Sequence, residues 1–325
     1  MQKHFISAAW IGVAVLLCSS AASAQTAAGE KPIGNKTKAT LPPICQGAGQ
    51  YYCASGGAED DSQGGGDAAG DFWGRAVPQP SGKQKAAPAP QHDISGTWNS
   101  VGIDEFGYRG GGQVFGAGAM PSDGDPKHEP PYNAEGLKAY HDNKPEFGIT
   151  AVPAAKTNDP ADACEPLGMP RQDLHRVSAV QIIQTPSQVI VLYPREKTWR
   201  VIWTDGRELP KDPDPSWDGY STAKWADNTT LVVQTIGMDE RSWVDNAGRP
   251  HSGALRVEER FHRVDHDTLE LTVTLDDPKL YTKPWVALDK LPFKLMGADF
   301  AMAEQRCSPS EMATYRSLVA EPAAK

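Results

Sequence analysis

The sequence predicts an all-β fold, an antiparallel β-barrel of about eight to ten short strands, with a β-sandwich as the alternative. From about residue 92, runs of apolar and β-branched residues follow one another, and turn residues separate them. Helical patterns of about 10–15 residues do not alternate with these runs, which excludes a parallel α/β fold. The 31 glycines and 27 prolines also favour turns and loops over long helices.

The first predicted strand covers residues 94–98, and a Gly- and Pro-rich insert follows at 107–131. After an irregular stretch at 150–176, short strands separated by turns fill most of the chain. The turns include Asp205-Gly206, a pair that favours hairpins. The remaining strands are predicted at 177–184, 188–193, 198–204, 220–225, 230–235, 255–263, 269–275, 283–288 and 292–296.

One short helix is predicted at residues 133–142. Asn133 can cap its N-terminus, because a side-chain oxygen at this position can accept from the free backbone N–H groups of the first turn. Leu137 and Tyr140 are expected to face the interior of the domain.

The first 24 residues are typical of a secretory signal peptide. A short basic start precedes an apolar run at 5–17, and Ala-Ser-Ala at 22–24 forms a small-x-small cleavage pattern. The apolar run is shorter than the roughly 20 residues of a spanning helix, which disfavours a membrane anchor. Leu17 before Cys18 disfavours a lipoprotein. The mature chain is therefore expected to be periplasmic or secreted, with no integral membrane segment.

Composition divides the mature chain into three parts. Residues 25–91 hold few β-branched or large apolar residues, so they cannot bury enough surface to offset their ordering entropy. They are predicted to form a disordered, low-complexity leader that the fold does not need. The barrel domain is predicted at 92–318, and a tail at 319–325.

Cleavage of the signal peptide removes Cys18 and leaves four cysteines. Four cysteines in an oxidising compartment suggest two disulfides, with three pairings to choose from. Cys45 and Cys53 would close a small local loop, and Cys164 and Cys307 would tie the start of the main domain to its end. We expect these two pairs. No CxxC or HxxxH pattern on a helix supports a metal site, and none is predicted.

Several motifs follow one another in order along the chain: CEPLGMPR at 164–171, DGR at 205–207, DPSWDGYS at 214–221, TLVV at 230–233, PHS at 250–252, ERFHR at 259–263 and DDPKLYTKPW at 276–285. The set resembles that of a large family of secreted bacterial proteins, over roughly residues 92–310. Family members are compatible with a lipocalin-like barrel, and Gly96-Thr97-Trp98 is similar to the Gly-x-Trp entry strand of lipocalins. The family has no established activity, so the resemblance implies a fold and a compartment but no chemistry.

The strand predicted at 255–263 is the most informative about a site. Alternate residues face opposite sides of a strand, so Glu259 shares the inward face with Leu255, Val257 and Phe261. A carboxylate there is costly without a partner. Two interpretations stay open, a buried Glu–Arg pair that fixes the interior, and a ligand-binding or catalytic role. The candidate partners are Arg171, Arg207 and His251.

Other polar and aromatic residues are weaker candidates. His251 lies in a loop beside Ser252 and could act as a base or a hydrogen-bond donor, although many exposed loop histidines have no function. Asp205 and Arg207 flank a turn, from which Arg207 could reach into a barrel mouth. The remaining candidates for a pocket rim or an aromatic-lined cavity are Arg171, Trp217, Tyr220, Tyr281 and Trp285.

Charge and motifs narrow the class of function. The formal charge of −9 and the lack of a long Lys/Arg block disfavour nucleic-acid binding. No GxSxG, HExxH, P-loop or GxGxxG motif in a suitable context is found, and no cofactor is expected. The favoured function is binding of an apolar or aromatic small molecule in the barrel cavity, with Trp walls and Glu259 and Arg207 as the polar anchor. The alternative is a cofactor-independent lyase, isomerase or hydrolase that uses His251 and Glu259 as acid and base in the same cavity.

Overall fold

The computed structural model describes residues 86–100, 122, 124–174, 179–302 and 306–323. Nine strands in chain order form one closed barrel, in which the last strand pairs with the first. The all-β barrel expected from the sequence is confirmed. The strands are β1 (Gly96–Ser100), β2 (Val180–Gln184), β3 (Gln188–Leu192), β4 (Trp199–Trp203), β5 (Tyr220–Trp225), β6 (Thr230–Ile236), β7 (Arg256–Arg263), β8 (Thr268–Asp276) and β9 (Trp285–Leu295).

One neighbouring pair, β4 and β5, is parallel, whereas the sequence predicted a wholly antiparallel barrel. The cause is the Pro- and Asp-rich connection at 204–219. Parallel neighbours cannot be joined by a tight turn, so this connection returns the chain to the end from which β4 started. The shared ladder is short, with Ile202 opposite Ser221 and Trp203 opposite Thr222.

Apolar side chains fill most of the barrel interior, because alternate residues of each strand point inward. Along β8, buried and partly exposed residues alternate without interruption. Burying each large apolar side chain contributes about 1.5–3 kcal/mol. The fully buried ones include Trp98, Ile202, Leu231, Val233, Val257 and Val273.

One end of the barrel, here called the closed end, has tight hairpins between β2 and β3, β5 and β6, and β7 and β8. The guanidinium of Arg263 lies over the Trp98 ring at 4.8 Å. It also donates hydrogen bonds to the backbone carbonyl oxygens of Asp93, Ser95 and His266. Arg263 therefore fastens the segment leading into β1 to the β7–β8 hairpin.

The other end, here called the loop end, carries the long connections between β1 and β2, β6 and β7, and β8 and β9. Many of the buried polar side chains lie in these connections. The first of them holds helices α1 (Ala134–Asp142) and α2 (Arg171–Leu174) and the 3-10 turns Ala154–Lys156 and Pro160–Ala163.

Helix α1 lies where the sequence predicted it, and the Asn133 side chain caps it by accepting from the Gly136 N–H. Tyr140 is buried as expected, but Leu137 is 45% exposed, so its predicted inward orientation is wrong. The helix packs through Gly136, where a Cβ would lie only 2.0 Å from the Leu280 carbonyl oxygen. This close approach turns the neighbouring Leu137 outward.

Two segments are more continuous than the sequence indicated. The strands predicted at 283–288 and 292–296 are parts of one strand, β9, which pairs with β8 through a register shift near Val273. The segment predicted as a tail at 319–325 begins inside a helical run. This run consists of Pro309–Tyr315, the π-helical Arg316–Ala320, and Glu321–Ala323.

The disulfide expected between Cys164 and Cys307 is confirmed, with 5.5 Å between the two Cα atoms. It ties the β1–β2 connection to the segment after β9. The Cys307 N–H also donates to Oε1 of Glu196 in the β3–β4 connection, at 2.7 Å. Both contacts attach the C-terminal region to the loop end.

The signal peptide, residues 25–85 of the leader and the pair Cys45 and Cys53 lie outside the described residues. The final part of the predicted leader contacts the barrel, because the Ala87 carbonyl oxygen accepts from the His266 N–H at 2.9 Å. Within the described part of the chain, no helix is long and apolar enough to cross a membrane.

Candidate functional site

Glu259 lies inside the barrel, as the alternation along β7 predicted, and its side chain is 0% exposed. Its partner is Arg200 on β4. The guanidinium nitrogens Nη1 and Nη2 of Arg200 donate to Glu259 Oε1 at 2.8 Å and to Glu259 Oε2 at 2.5 Å, respectively. The predicted partners Arg171, Arg207 and His251 are therefore wrong.

Arg200 connects four strands through polar contacts. Besides Glu259 on β7, its Nε donates to Ser221 Oγ on β5 at 3.0 Å, and its Nη2 donates to Thr235 Oγ1 on β6 at 2.6 Å. Sequence reasoning missed Arg200, although alternation along β4 places it on the same face as the buried Ile202. These hydrogen bonds satisfy a buried charge pair that would otherwise be costly.

A second carboxyl group, Asp173 of α2, is buried close to this pair and is 6% exposed. Its Oδ1 accepts from the Tyr193 hydroxyl at 3.2 Å, and its carboxyl group lies within hydrogen-bonding reach of the Glu259 carboxyl group. Burial raises the pKa of Asp173 well above its usual range, and the negative charge of Glu259 raises it further. Burial and Glu259 therefore favour the protonated form of Asp173, whose O–H can donate to the Glu259 carboxylate or to another acceptor.

A cavity of about 20 Å³ lies inside the barrel beside Asp173. Its walls are mostly apolar, and its polar groups come from Gln172, Asp173 and Tyr193. The volume is enough for about one water molecule. The apolar walls are Val180, Ile182, Val191, Phe261, Leu269, Leu271 and Phe293.

His251 lies in the loop-end connection between β6 and β7 and is buried. Its Nε2 is 2.9 Å from Ser242 Oγ, and its Nδ1 is 3.3 Å from the Ser252 carbonyl oxygen. Because a carbonyl oxygen can only accept, the proton of the neutral ring belongs on Nδ1, and Nε2 accepts from Ser242. Burial lowers the pKa of His251, which favours this neutral form. The backbone N–H and the hydroxyl of Ser252 both donate to the carboxylate of Asp277.

Arg171 takes part in a different buried cluster at the loop end. It donates to both carboxylate oxygens of Asp159 and to Asn246 Oδ1, and it lies over the Trp243 ring at 5.5 Å. The cluster joins the β1–β2 connection to the β6–β7 connection. The contacts of Arg171 point to a structural role rather than to the cavity.

Tyr281 and Trp285 lie together in a buried aromatic group, with ring centroids 5.5 Å apart. The Tyr281 hydroxyl donates to the Pro250 carbonyl oxygen at 2.7 Å, and its ring stacks on Tyr132. The Trp285 indole N–H has no partner among the described residues. Neither ring lines the cavity beside Asp173.

Asp205, Arg207 and Tyr220 lie on the outside of the barrel. Arg207 pairs with Asp205 at 2.6 Å, reaches the Tyr220 hydroxyl at 3.3 Å, and stacks over Trp203 at 3.6 Å. The predicted anchor pair of Glu259 and Arg207 is therefore not formed. Trp217, another predicted ligand contact, lies under the Arg241 guanidinium at 4.5 Å.

The structure thus separates most of the predicted site residues and brings Glu259 together with residues that sequence reasoning missed. Like Arg200, the missed residue Tyr193 had a readable signal, because the alternation through Val189 and Val191 extends to Tyr193. Asp173 had none, since it comes from a four-residue helix in a stretch predicted to be irregular.

Among the described residues, no three His, Cys, Asp or Glu side chains are placed to hold a metal ion. The fold and the site define a nine-stranded barrel with a buried arginine, two buried carboxyl groups and a small, mostly apolar cavity. Comparison with known protein families, curated proteins and solved structures finds no match for this chain.

Proposed function

We propose that the protein is an exported barrel that binds a small, mostly apolar and uncharged molecule in the cavity beside Asp173. One observation carries the proposal. A buried carboxyl group, whose pKa is raised by burial and by the neighbouring Glu259, lines a cavity whose other walls are mainly apolar. Apolar walls with a few convergent polar groups are typical of small-molecule sites.

The charges in the interior favour an uncharged ligand. The positive charge of Arg200 is already matched by the two oxygens of Glu259. A second charge brought into this low-dielectric space would have no counter-charge and would be costly. The Asp173 carboxyl can instead hydrogen-bond to a carbonyl or similar acceptor on the ligand.

The size of the cavity limits the ligand. Space for about one water molecule means that a larger ligand must displace lining side chains. Phe261 and Phe293 are the largest apolar side chains of the lining, so their rotation would open the most room. We therefore propose a small ligand in place of the larger flat molecule that Trp walls would have suited.

The compartment belongs to the same proposal. Disulfides persist in oxidising compartments, and the Cys164–Cys307 bond is compatible with export. The signal-like first 24 residues and the resemblance to secreted bacterial proteins support a periplasmic or secreted location. Fractionation of the producing cell, followed by sequencing of the mature N-terminus, tests this part.

The experiment for binding compares two probes of one shape, cyclohexanone and methylenecyclohexane, by NMR titration of the mature protein. Both should shift resonances of the cavity lining, and the ketone should bind more tightly because Asp173 can donate to its oxygen. Phe261→Trp, which fills the cavity, should abolish both effects. Val286→Trp on the outer surface is the matched control and should leave binding unchanged. If neither probe shifts any lining resonance, the proposal is wrong.

The contacts do not favour the alternative of an acid–base enzyme. Both ring nitrogens of His251 and both carboxylate oxygens of Glu259 are engaged by separate partners. Neither residue lines the cavity.

A further inference from the structure

The lining of the cavity beside Asp173 is exposed to solvent on one side. Of the ten described residues that line the cavity, eight are buried, and Gln172 and Val180 are partly exposed. Gln172 belongs to helix α2, and Val180 is the first residue of β2, so both lie at the loop end of the barrel. The passage between the cavity and solvent therefore lies at these two residues.

The Gln172 side chain is held at this passage by two other connections of the loop end. Its Nε2 donates to Asp218 Oδ1 at 2.7 Å, and its Oε1 is 3.5 Å from the Thr198 hydroxyl. Asp218 lies in the connection at 204–219, and Thr198 lies between β3 and β4. A glutamine side chain has several rotatable bonds, so these contacts are needed to keep it in one position.

The backbone around Gln172 is attached separately. The Met169 N–H donates to the Trp217 carbonyl oxygen at 2.8 Å, and the Gln172 N–H donates to the Gly168 carbonyl oxygen at 2.9 Å. Gly168 also packs closely on this connection, because a Cβ there would lie 2.6 Å from the Trp217 carbonyl oxygen. The Gln172 side chain can therefore rotate while α2 stays in place.

We infer that Gln172 controls entry to the cavity, which is closed while its side chain bonds to Asp218 and open when that hydrogen bond is broken. The inference rests on the proposed function, because it concerns the path of the ligand proposed there. Val180, the other residue at the passage, is branched at Cβ and belongs to a strand, so its side chain has little freedom to move.

Asp218 acts on entry through Gln172, since Asp218 does not itself line the cavity. Loss of its carboxylate removes one hydrogen bond from the closed position. The open population should then increase by about 2- to 10-fold. A ligand enters and leaves by the same passage, so its rates of binding and release should increase by the same factor and its affinity should not change.

The test is the rate at which the Tyr193 hydroxyl proton exchanges with water, because this proton is buried at the cavity and bonded to Asp173. The rate is measured in the mature protein from the ¹³C signal of the ring carbon that carries the hydroxyl, in mixtures of H₂O and D₂O. It reports the population of the open form without any ligand. Asp218→Ala should increase the exchange rate by about 2- to 10-fold.

Two variants are matched controls for Asp218→Ala. Asp218→Asn keeps an oxygen that can accept from Gln172 and removes the charge, so it should exchange as the wild type does. Asp214→Ala removes an exposed carboxylate of the same connection and should also leave the rate unchanged. If Asp218→Ala does not fold, Gln172→Ala shortens the side chain at the passage and should give the same increase.

Two outcomes would overturn the inference. One is an exchange rate that Asp218→Ala, or Gln172→Ala in its place, leaves unchanged. The other is an increase that the backbone amides of β7 share, since the whole barrel would then have loosened. Titration with cyclohexanone tests the proposed function separately. If cyclohexanone binds neither the wild type nor the variants, the binding proposal is wrong, and the hydroxyl exchange still decides whether Gln172 controls entry.

Discussion

The interior of the barrel contains the guanidinium group of Arg200 and the carboxyl groups of Glu259 and Asp173. Ion pairing of Glu259 and the raised pKa of Asp173 reduce the cost of burying these groups. Glu259 forms the bidentate pair with Arg200, whereas Asp173 accepts from the Tyr193 hydroxyl, and burial and Glu259 raise the pKa of Asp173. Sequence alternation identified Glu259 as the inward carboxylate. It could not show that Asp173 arrives from a separate loop-end helix.

Breaking the buried pair should be strongly destabilising. Arg200→Met should lower the free energy of unfolding by about 3–5 kcal/mol, because it leaves Glu259 buried and unpaired. Arg200→Met combined with Glu259→Leu should recover most of this loss, since no unpaired charge remains. Urea unfolding of the three proteins measures both values. A loss below about 1 kcal/mol in the single variant would show that the pair is not held as described.

The half-buried Glu146 predicts a pH dependence. Burial, with the negative charges of Asp162 and Asp159, raises its pKa from 4.5 to about 7. Between pH 4.5 and about pH 7, Glu146 is therefore protonated in the folded state and ionised in the unfolded state. Its contribution to the free energy of unfolding falls as the pH rises through this range and does not change at higher pH.

The comparison of wild type with Glu146→Gln isolates this contribution, because His251 and Asp173 titrate in both proteins. Melting temperatures are measured between about pH 5 and pH 8. Relative to the variant, the wild type should lose stability as the pH rises. If the melting temperature of the wild type instead increases relative to that of the variant as the pH rises, the pKa of Glu146 is not raised.

Strands with strict alternation of buried and exposed residues could be predicted from the sequence, whereas the paths of the connections between strands could not. The side-chain pattern of β7 placed Glu259 correctly. The parallel β4–β5 pair depends on the path of the connection at 204–219, which no local pattern encodes. The outward turn of Leu137 depends on a backbone contact between Gly136 and Leu280, which are distant in sequence.

Arg263 should contribute strongly to the stability of the closed end. Arg263→Ala removes four hydrogen bonds to the backbone carbonyl oxygens of Asp93, Ser95, Asp265 and His266, and the contact with Trp98. We expect the free energy of unfolding to fall by about 2–3 kcal/mol. Arg263→Lys should recover little, because a single ammonium group cannot reproduce the planar fork. Chemical denaturation measures both. Full recovery by lysine would mean that charge alone accounts for the effect of Arg263.

The disulfide between Cys164 and Cys307 joins the loop end to the C-terminal segment. The two cysteines are 143 residues apart, and closing such a loop in the unfolded chain stabilises the fold by about 5 kcal/mol in the chain-entropy model. The pairing was readable from cysteine count and spacing. The attachment of the C-terminal segment to Glu196 was not, because it requires the fold.

Loss of this disulfide should be visible as a lower melting temperature. The double variant Cys164→Ser/Cys307→Ser should melt well below the wild type, and added reductant should shift only the wild type. Calorimetry under oxidising and reducing conditions measures the shift. A variant that melts with the wild type would show that the crosslink does not constrain the unfolded chain.

The proposed function depends most on Asp173, whose raised pKa favours a protonated carboxyl group beside the cavity. The most direct measurement is the ¹³C NMR signal of its side-chain carboxyl, assigned by comparison with Asp173→Asn and followed across pH with and without cyclohexanone. We expect a protonated carboxyl group at neutral pH, because burial and Glu259 raise the pKa of Asp173, and we expect its signal to change when the ketone is added. An Asp173 that is ionised at neutral pH and does not respond to the probe would contradict both the raised pKa and the proposed binding site.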